Sequence, residues 1–216
     1  MSLKVYECFT SLQGESTHAG KRCFFIRLAG CPLRCSYCDT RKAQDPAAGA
    51  ERTVDELLES ARGSGSGLVE VTGGEPLAQK ETPELCAALL AAGFRVLVET
   101  NGAFDCSVLP EGVIRILDFK TPSSGESGRM YLPNYRKLKK SDEVKFVIGD
   151  EADYHFSVEK IREFRMAEQT ENLLFSPVYG SISLPFLAER MIADRVPARL
   201  NLQLHKIVWG PEKEGV

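Results

Sequence analysis

No apolar run in the chain approaches the roughly 18 residues that a membrane-spanning helix needs, so no membrane partner is expected. The opening MSLKVYECFT lacks the apolar stretch of a secretory leader, and a cytoplasmic location is expected. Basic residues are not in excess. Twenty-seven Lys and Arg against 30 Asp and Glu leave a formal charge of -3, which predicts no general affinity for nucleic acid. No internal repeat is visible. The cysteines do not make an even set: there are seven, and a reducing compartment disfavours structural disulfides. What is present is ordinary for a globular protein, with 43% hydrophobic and 26% charged residues. The length of 216 residues suits one domain, expected to span 1–216, with a core that needs no staples.

Six segments read as nearly continuous apolar strands: Cys23–Leu28, Leu68–Val71, Phe94–Glu99, Val113–Leu117, Val144–Ile148 and Leu173–Phe175. Strands of a parallel sheet covered on both faces have this character. A seventh segment, Arg199–Val208, alternates and is also expected to be a strand. Thr53 with Glu56 forms a capping box for a helix to about Arg62. Thr82-Pro83 opens a second helix that Gly93 closes. A third is expected over about Glu151–Met166, and a weaker one after Pro185. Residues 103–112 contain Pro110 and are too short for a good crossover helix, whereas 119–142, with Pro122, Pro133 and the run Ser123-Ser124-Gly125-Glu126-Ser127-Gly128, read as loop. Alternating strands and helices imply right-handed crossovers. The expected fold class is α/β: a partial, incomplete TIM-type barrel of about six parallel strands with few covering helices.

The strands carry polar residues on one face. Arg27 opposes Phe24, Ile26 and Leu28; Glu70 and Thr72 oppose Val69 and Val71; Glu99 opposes Val96 and Val98. Asn201, Gln203 and His205 oppose Leu200, Leu202 and Leu204. If the aliphatic faces pack on helices, Arg27, Glu70, Glu99, Gln203 and His205 line a lumen. Such a lumen either receives a polar ligand or holds internal salt bridges, such as Arg27 with Glu70.

The strongest chemical signal is Cys31-Pro-Leu-Arg-Cys35-Ser-Tyr-Cys38. The remaining cysteines, Cys8, Cys23, Cys86 and Cys106, are scattered and read as small packed hydrophobes. A four-iron cluster normally takes four thiolates. Three on one loop leave one iron open to chelate a small molecule. Zinc is the alternative, and it needs a fourth ligand from His18, Asp39 or a distant cysteine. The spacing favours the cluster. The loop follows a strand that ends at Gly30, the end of a barrel strand where sites are built.

At these residues the chain resembles the radical S-adenosylmethionine superfamily, with its C-x3-C-x-aromatic-C signature and Tyr37 as the aromatic. Val71-Thr72-Gly73-Gly74-Glu75-Pro76 matches the superfamily's GGEP segment. The resemblance narrows to the 7-carboxy-7-deazaguanine synthases through Leu12-Gln13-Gly14-Glu15, Phe25–Cys31, Glu99-Thr100-Asn101-Gly102, Lys145-Phe146-Val147-Ile148, Gln203-Leu204-His205-Lys206 and Trp209-Gly210.

That resemblance implies ring contraction of 6-carboxy-5,6,7,8-tetrahydropterin to 7-carboxy-7-deazaguanine and ammonia, in 7-deazaguanine (queuosine precursor) biosynthesis. It implies a [4Fe–4S] cluster on Cys31, Cys35 and Cys38, S-adenosylmethionine, Mg²⁺, an external electron donor of flavodoxin or ferredoxin type, and a homodimer. S-adenosylmethionine would contact Tyr37, Cys38, Asp39, Gly74, Glu75, Asp118, Phe119, Lys120, Ser176, Pro177, Val178 and Tyr179. Asp118-Phe119 departs from the Ser-Pro usual before that lysine, and Lys120 as a surface residue is the alternative. Thr40 would be the magnesium ligand, unless Asp39-Thr40 simply turns the chain. The pterin would meet Leu12, Gln13, Gly14, Glu15, Arg27, Thr72, Gln203 and His205, with Arg27 suited to its carboxylate. Ser16 stands where the family usually has glycine. His205 reads equally well as a structural histidine. Whether the Val216 carboxylate reaches inward is open. A glycyl-radical activase shares the cysteine loop but needs neither Leu12–Glu15 nor Gln203–His205. A non-catalytic metal carrier needs no GGEP segment.

Overall fold

The computed structural model describes residues 1–213, 215 and 216. Nine strands form one sheet in the order β3-β1-β2-β4-β5-β6-β7-β8-β9. They are β1 (Ser2–Leu12), β2 (Arg22–Leu28), β3 (Ala50–Thr53), β4 (Leu68–Gly73), β5 (Arg95–Thr100), β6 (Ile114–Phe119), β7 (Glu143–Ile148), β8 (Leu173–Pro177) and β9 (Arg199–Leu200). From β2 to β9 every pairing is parallel, whereas β1 runs antiparallel to both β2 and β3. β3 and β9 do not pair, so the barrel is open, as expected for a partial one.

The helices are α1 (Val54–Gly63), α2 (Thr82–Ala91), α3 (Glu151–Glu163), α4 (Met166–Gln169), α5 (Leu184–Ala193) and α6 (Leu204–Trp209). Among the described residues none is long and apolar enough to cross a membrane. α1 starts at the expected capping box: Thr53 accepts from the Glu56 N–H at 3.2 Å while Glu56 accepts from the Thr53 N–H at 2.7 Å. Thr53→Ala removes one of the two reciprocal bonds, and thermal melts should report a loss of about 1 kcal/mol with no change in ligand binding. The β5–β6 and β6–β7 connections contain only short 3-10 turns, as their prolines predicted.

Side chains alternate across the sheet. Val69, Val71, Val96 and Val98 pack outward beneath α1 and α2 with Leu57, Leu85 and Leu89. Leu117, Phe119, Phe146 and Phe175 pack outward with Tyr154 and Ile161 of α3 and Leu187 of α5. Inside the barrel, Cys23, Phe25, Leu68, Leu97 and Ile116 form an apolar floor. Above that floor the inward positions turn polar.

Three features differ from the sequence-based expectations. First, β1 and β3 were not foreseen, although in β1 Leu3 and Val5 alternate with Ser2 and Lys4 and are buried. Second, Arg199–Val208 is not one strand. Only Arg199–Leu200 joins the sheet; the ladder ends where the Asn201 N–H reaches Phe175 O at 2.9 Å, and the chain turns into α6. Its alternation is overridden because Leu200 remains exposed at the sheet edge, so little apolar burial rewards further pairing. Third, Arg27 does not pair with Glu70. Its Nε donates to Glu7 on β1 at 2.8 Å, since the antiparallel register sets Glu7 opposite Arg27.

Candidate functional site

The C-terminal ends of the parallel strands open into one cavity. Its wall includes Cys31, Cys35 and Cys38 at one end and Gln13, Glu70 and His205 at the other.

The cysteine loop leaves β2 through Gly30, whose φ of 96° is left-handed and favours glycine. The loop is clamped from both sides. Gly30 N donates to Ala43 O at 2.8 Å, and Cys31 N donates to Gln44 O at 3.1 Å. Ser36 N donates to Ser124 O at 3.1 Å, Ser36 Oγ donates to Ser123 O at 2.6 Å, and Arg34 N donates to Glu126 Oε1 at 2.6 Å. The Ser/Gly-rich run after β6 is therefore a brace for the cysteines. The three thiols are free and half-buried. Burial, ahead of the opposing Lys120 charge, pushes Cys35 up to about 11. Asn101 Nδ2 lies 3.7 Å from Cys31 Sγ.

The GGEP turn presses against this loop. A side chain at Gly74 would strike the Gly30 carbonyl, so only glycine fits there. Glu75 N donates to Gly30 O at 2.8 Å. The Glu75 side chain does not line the cavity. It is fully buried, accepting from Thr100 Oγ1 at 2.7 Å, Asn101 N at 2.7 Å and Leu77 N at 2.9 Å. Burial raises its carboxyl to about 7. Glu75 therefore braces the β4 turn against the end of β5 and offers no open countercharge.

Asp118 and Lys120 point inward from the end of β6, with Lys120 Nζ donating to Asp118 Oδ2 at 2.6 Å. Burial works to lower the Lys120 pKa, but the Asp118 carboxylate overrides it and holds it above the usual lysine range. Lys120 is 9% exposed, which rules out a surface lysine. Phe119, between them, faces outward into the aromatic core, 4.4 Å from the Tyr135 ring, because alternate residues face opposite sides. Tyr37, Asp39, Thr40 and Ser176–Tyr179 complete this half of the wall. Thr40 Oγ1 donates to Asp39 Oδ1 at 3.1 Å, and Lys206 of α6 donates to Asp39 Oδ2 at 2.8 Å.

The other half is built from Leu12–Glu15, Arg27, Thr72, Glu99, Lys145, Gln203 and His205. Lys145 stands on β7 and bonds Glu15 Oε2 at 3.0 Å and also Glu99. Burial would lower its pKa, but the Glu15 and Glu99 carboxylates raise it well above the usual value. Gln203 Nε2 donates to Glu15 Oε1 at 2.8 Å. His205 packs on Gly14, where a Cβ would collide with the imidazole. Arg27 lies over the Phe9 ring, which stacks on Phe25 with centroids 4.9 Å apart. Glu7 takes only its Nε, so its two terminal nitrogens have no hydrogen-bond partner among the described residues. Val216 also lines the cavity.

Every sequence-predicted site residue except Glu75 and Phe119 lines this cavity. Sequence reasoning assigned no role to Lys145, although a lysine within the apolar segment Val144–Ile148 was a visible signal. It also missed Asn101, Phe9 and Lys206, whose places depend on distant segments.

The donor set fits an iron–sulfur cluster with a bound sulfonium amino acid. No fourth cysteine lines the cavity among the described residues; Cys23, Cys86 and Cys106 are buried elsewhere. His18 is buried in the β1–β2 connection and does not line the cavity. No three His, Cys, Asp or Glu converge at single-ion spacing among the described residues, and thiolates on separate irons of a cluster stand further apart than ligands of one ion. Asp118 Oδ1 is buried without a hydrogen-bond partner among the described residues, an acceptor left for a ligand's donor.

The sequence model of the Radical SAM superfamily matches residues 25–118. The 7-carboxy-7-deazaguanine synthase of Koribacter versatilis (strain Ellin345) is 37% identical, covering 99% of this chain and 100% of its own. That of Chlorobaculum tepidum is 39% identical, covering 99% and 97%, respectively. Among solved structures, QueE from Escherichia coli has a TM-score of 0.74 over 95% of each chain at 22% identity, a likeness of fold. With identity of this order extending over nearly the whole of both chains, on a sheet that brings the cysteine loop and the GGEP turn to one cavity, the chain belongs to the 7-carboxy-7-deazaguanine synthase family of radical SAM proteins.

Proposed function

We propose that the chain works as one catalytic domain that contracts the ring of 6-carboxy-5,6,7,8-tetrahydropterin to give 7-carboxy-7-deazaguanine and ammonia, for 7-deazapurine biosynthesis. The observation that carries this reading is a single cavity with three thiols at one end and a carboxylate- and amide-lined pocket at the other. Substrate equals product plus ammonia, so the conversion needs no net oxidant. When bound, the cluster and S-adenosylmethionine supply a one-electron reductive cleavage that starts hydrogen abstraction.

The chain's own residues orient and enclose. Cys31, Cys35 and Cys38 would hold the cluster. Gly74 and its flanking carbonyls, Asp118, Lys120, Tyr37, Asp39 and Ser176–Tyr179 surround the space for S-adenosylmethionine, while Glu75 and Phe119 act only through the backbone they fix. Thr40 would offer its hydroxyl to a Mg²⁺ ion that keeps most of its waters. Leu12–Glu15, Thr72, Gln203 and His205 would take the amino-oxo edge of the pterin. Arg27, with both terminal nitrogens unengaged, would take its carboxylate. An external one-electron donor and a homodimer belong to the same reading. Loss of water from this enclosed site strengthens each of these polar contacts.

Arg27→Ala should raise KM for the tetrahydropterin by about 10- to 100-fold, the worth of a charge-assisted hydrogen bond, and leave S-adenosylmethionine affinity unchanged. Equal substrate affinity in steady-state assays would remove Arg27 from the pocket. The reading as a whole is tested by anaerobic reconstitution with iron and sulfide, followed by the tetrahydropterin, Mg²⁺ and S-adenosylmethionine. Mass spectrometry should find the ring-contracted acid, with ammonia released in equal amount. An activase would leave the pterin untouched.

A further inference from the structure

Glu70 is an unexpected residue for its place. It points from β4 into the apolar floor of the barrel, 1% exposed, with Phe25 and Leu97 beside it on the neighbouring strands. No cation stands on its own rung. Its Oε2 accepts from Gln13 Nε2 at 2.6 Å. At its other end the Gln13 amide oxygen accepts the Glu15 N–H. The amide can therefore face only one way, and the Leu12–Glu15 segment is pinned to the barrel floor through Glu70. The second oxygen, Oε1, has no hydrogen-bond partner among the described residues, while the side chain lines the cavity.

We propose that Glu70 is a specificity residue for the heterocyclic substrate, locking the Gln13 amide with one oxygen and offering a carboxylic acid O–H from the other to an acceptor atom of the ring. The inference rests on the function proposed above.

The surroundings keep Glu70 in its acid form. The groups that face it are Glu99 on β5, Glu15 on the loop after β1, Lys145 on β7 and the Cys23 thiol on β2. The Lys145 ammonium is already engaged by Glu15 and Glu99. Burial, then the Glu99 charge, push the Glu70 carboxyl up to about 8. Gln13 Nε2 is a donor and cannot accept the Glu70 proton, so the O–H sits on the oxygen that faces the cavity. Above pH 8 that donor is lost and a further negative charge joins Glu99 and Glu15. Substrate binding should weaken as pH rises through this value.

The test compares Glu70→Gln and Glu70→Val in the cluster-loaded protein. KM and kcat for the tetrahydropterin are measured across neutral to alkaline pH. Calorimetry of the 7-carboxy-7-deazaguanine product on the metal-free protein gives a binding readout independent of turnover. In the unsubstituted protein KM rises above pH 8. Glu70→Gln, which keeps an acceptor for Gln13 and a donor for the cavity, holds KM within about twofold at neutral pH and loses the alkaline rise. Glu70→Val strands the Gln13 amide and raises KM about tenfold with kcat little changed. An infrared band of a protonated carboxyl disappears in Glu70→Gln. Retention of the alkaline rise in Glu70→Gln, or an unchanged KM in Glu70→Val, overturns the proposal. If Glu70→Val does not fold, Glu70→Gln decides alone. Failure of the unsubstituted, loaded protein to contract the pterin sinks the functional reading and this proposal with it; normal turnover with indifferent Glu70 variants sinks only the latter.

Discussion

Replacing Cys35 by alanine should abolish the cluster's absorbance and the protein's turnover together. Two thiolates remain on the loop, one iron more is left without a protein ligand, and the cluster is no longer held in the cavity. The fold should survive, because Cys35 is only half-buried and the loop is fixed by backbone bonds to Ala43, Gln44 and Ser124 rather than by its sulfur. The metal-free variant should therefore melt close to the unsubstituted protein, while iron analysis after reconstitution falls toward background. Cys86→Ala is the control: that thiol sits on the buried face of α2, outside the cavity lining, and iron content should not change. Full turnover by an iron-free Cys35→Ala protein would end the radical reading of this site.

Lys145→Met should have the second largest effect, on stability and substrate binding alike. Lys145 is 6% exposed, and its ammonium is the shared partner of Glu15 and Glu99. Removing it leaves two carboxylates facing each other in a largely enclosed space, a cost of about 3 kcal/mol; cavity water, to which both are partly open, keeps this at the low end for a broken buried pair.

The pH dependence has a definite sign. Burial alone would raise the Glu99 pKa, but Lys145 overrides it and lowers it below the ordinary carboxylate value. A depressed carboxylate stabilises the fold above its unfolded pKa, and that stability is lost as pH falls through the folded value. Without Lys145, only the weaker pull of Lys120 opposes burial, so the variant is penalised most at neutral and alkaline pH and recovers toward the unsubstituted protein as acid protonates Glu99. Urea unfolding of the metal-free proteins at mildly acidic and mildly alkaline pH should show the gap narrowing on acidification. Equal stability at both would remove Lys145 as the counterion of the pocket.

Much of this protein was legible before folding. All six strand cores, Cys23–Leu28, Leu68–Val71, Phe94–Glu99, Val113–Leu117, Val144–Ile148 and Leu173–Phe175, lie within or overlap observed strands because continuous burial leaves a composition that shows in one dimension. The Thr53–Glu56 box was read correctly because both of its bonds are local. Helix α6 was not legible. Leu200, Leu202 and Leu204 alternate like a strand, but Leu204 N donates to Gly14 O at 2.8 Å and Lys206 reaches Asp39, contacts that no local pattern encodes. β1 was passed over because its half-exposed residues give a weaker signal than the doubly covered strands beside it.

The amino-acid sequence by itself determined the chemistry: the cysteine spacing, the glycines that let backbone approach backbone at the GGEP turn, and the polar residues on the inner face of each strand. Those are properties of neighbours along the chain, fixed by bond geometry and by alternation. Tertiary structure alone decided the partners. It gave Arg27 to Glu7, set Lys145 between two acids from different segments, and turned the Ser123–Glu126 loop into a clamp on the cysteines. Hydrogen bonds and ion pairs are short-ranged, so which groups meet is settled only when the strand register and the curl of the sheet bring residues far apart in sequence to within a few ångströms.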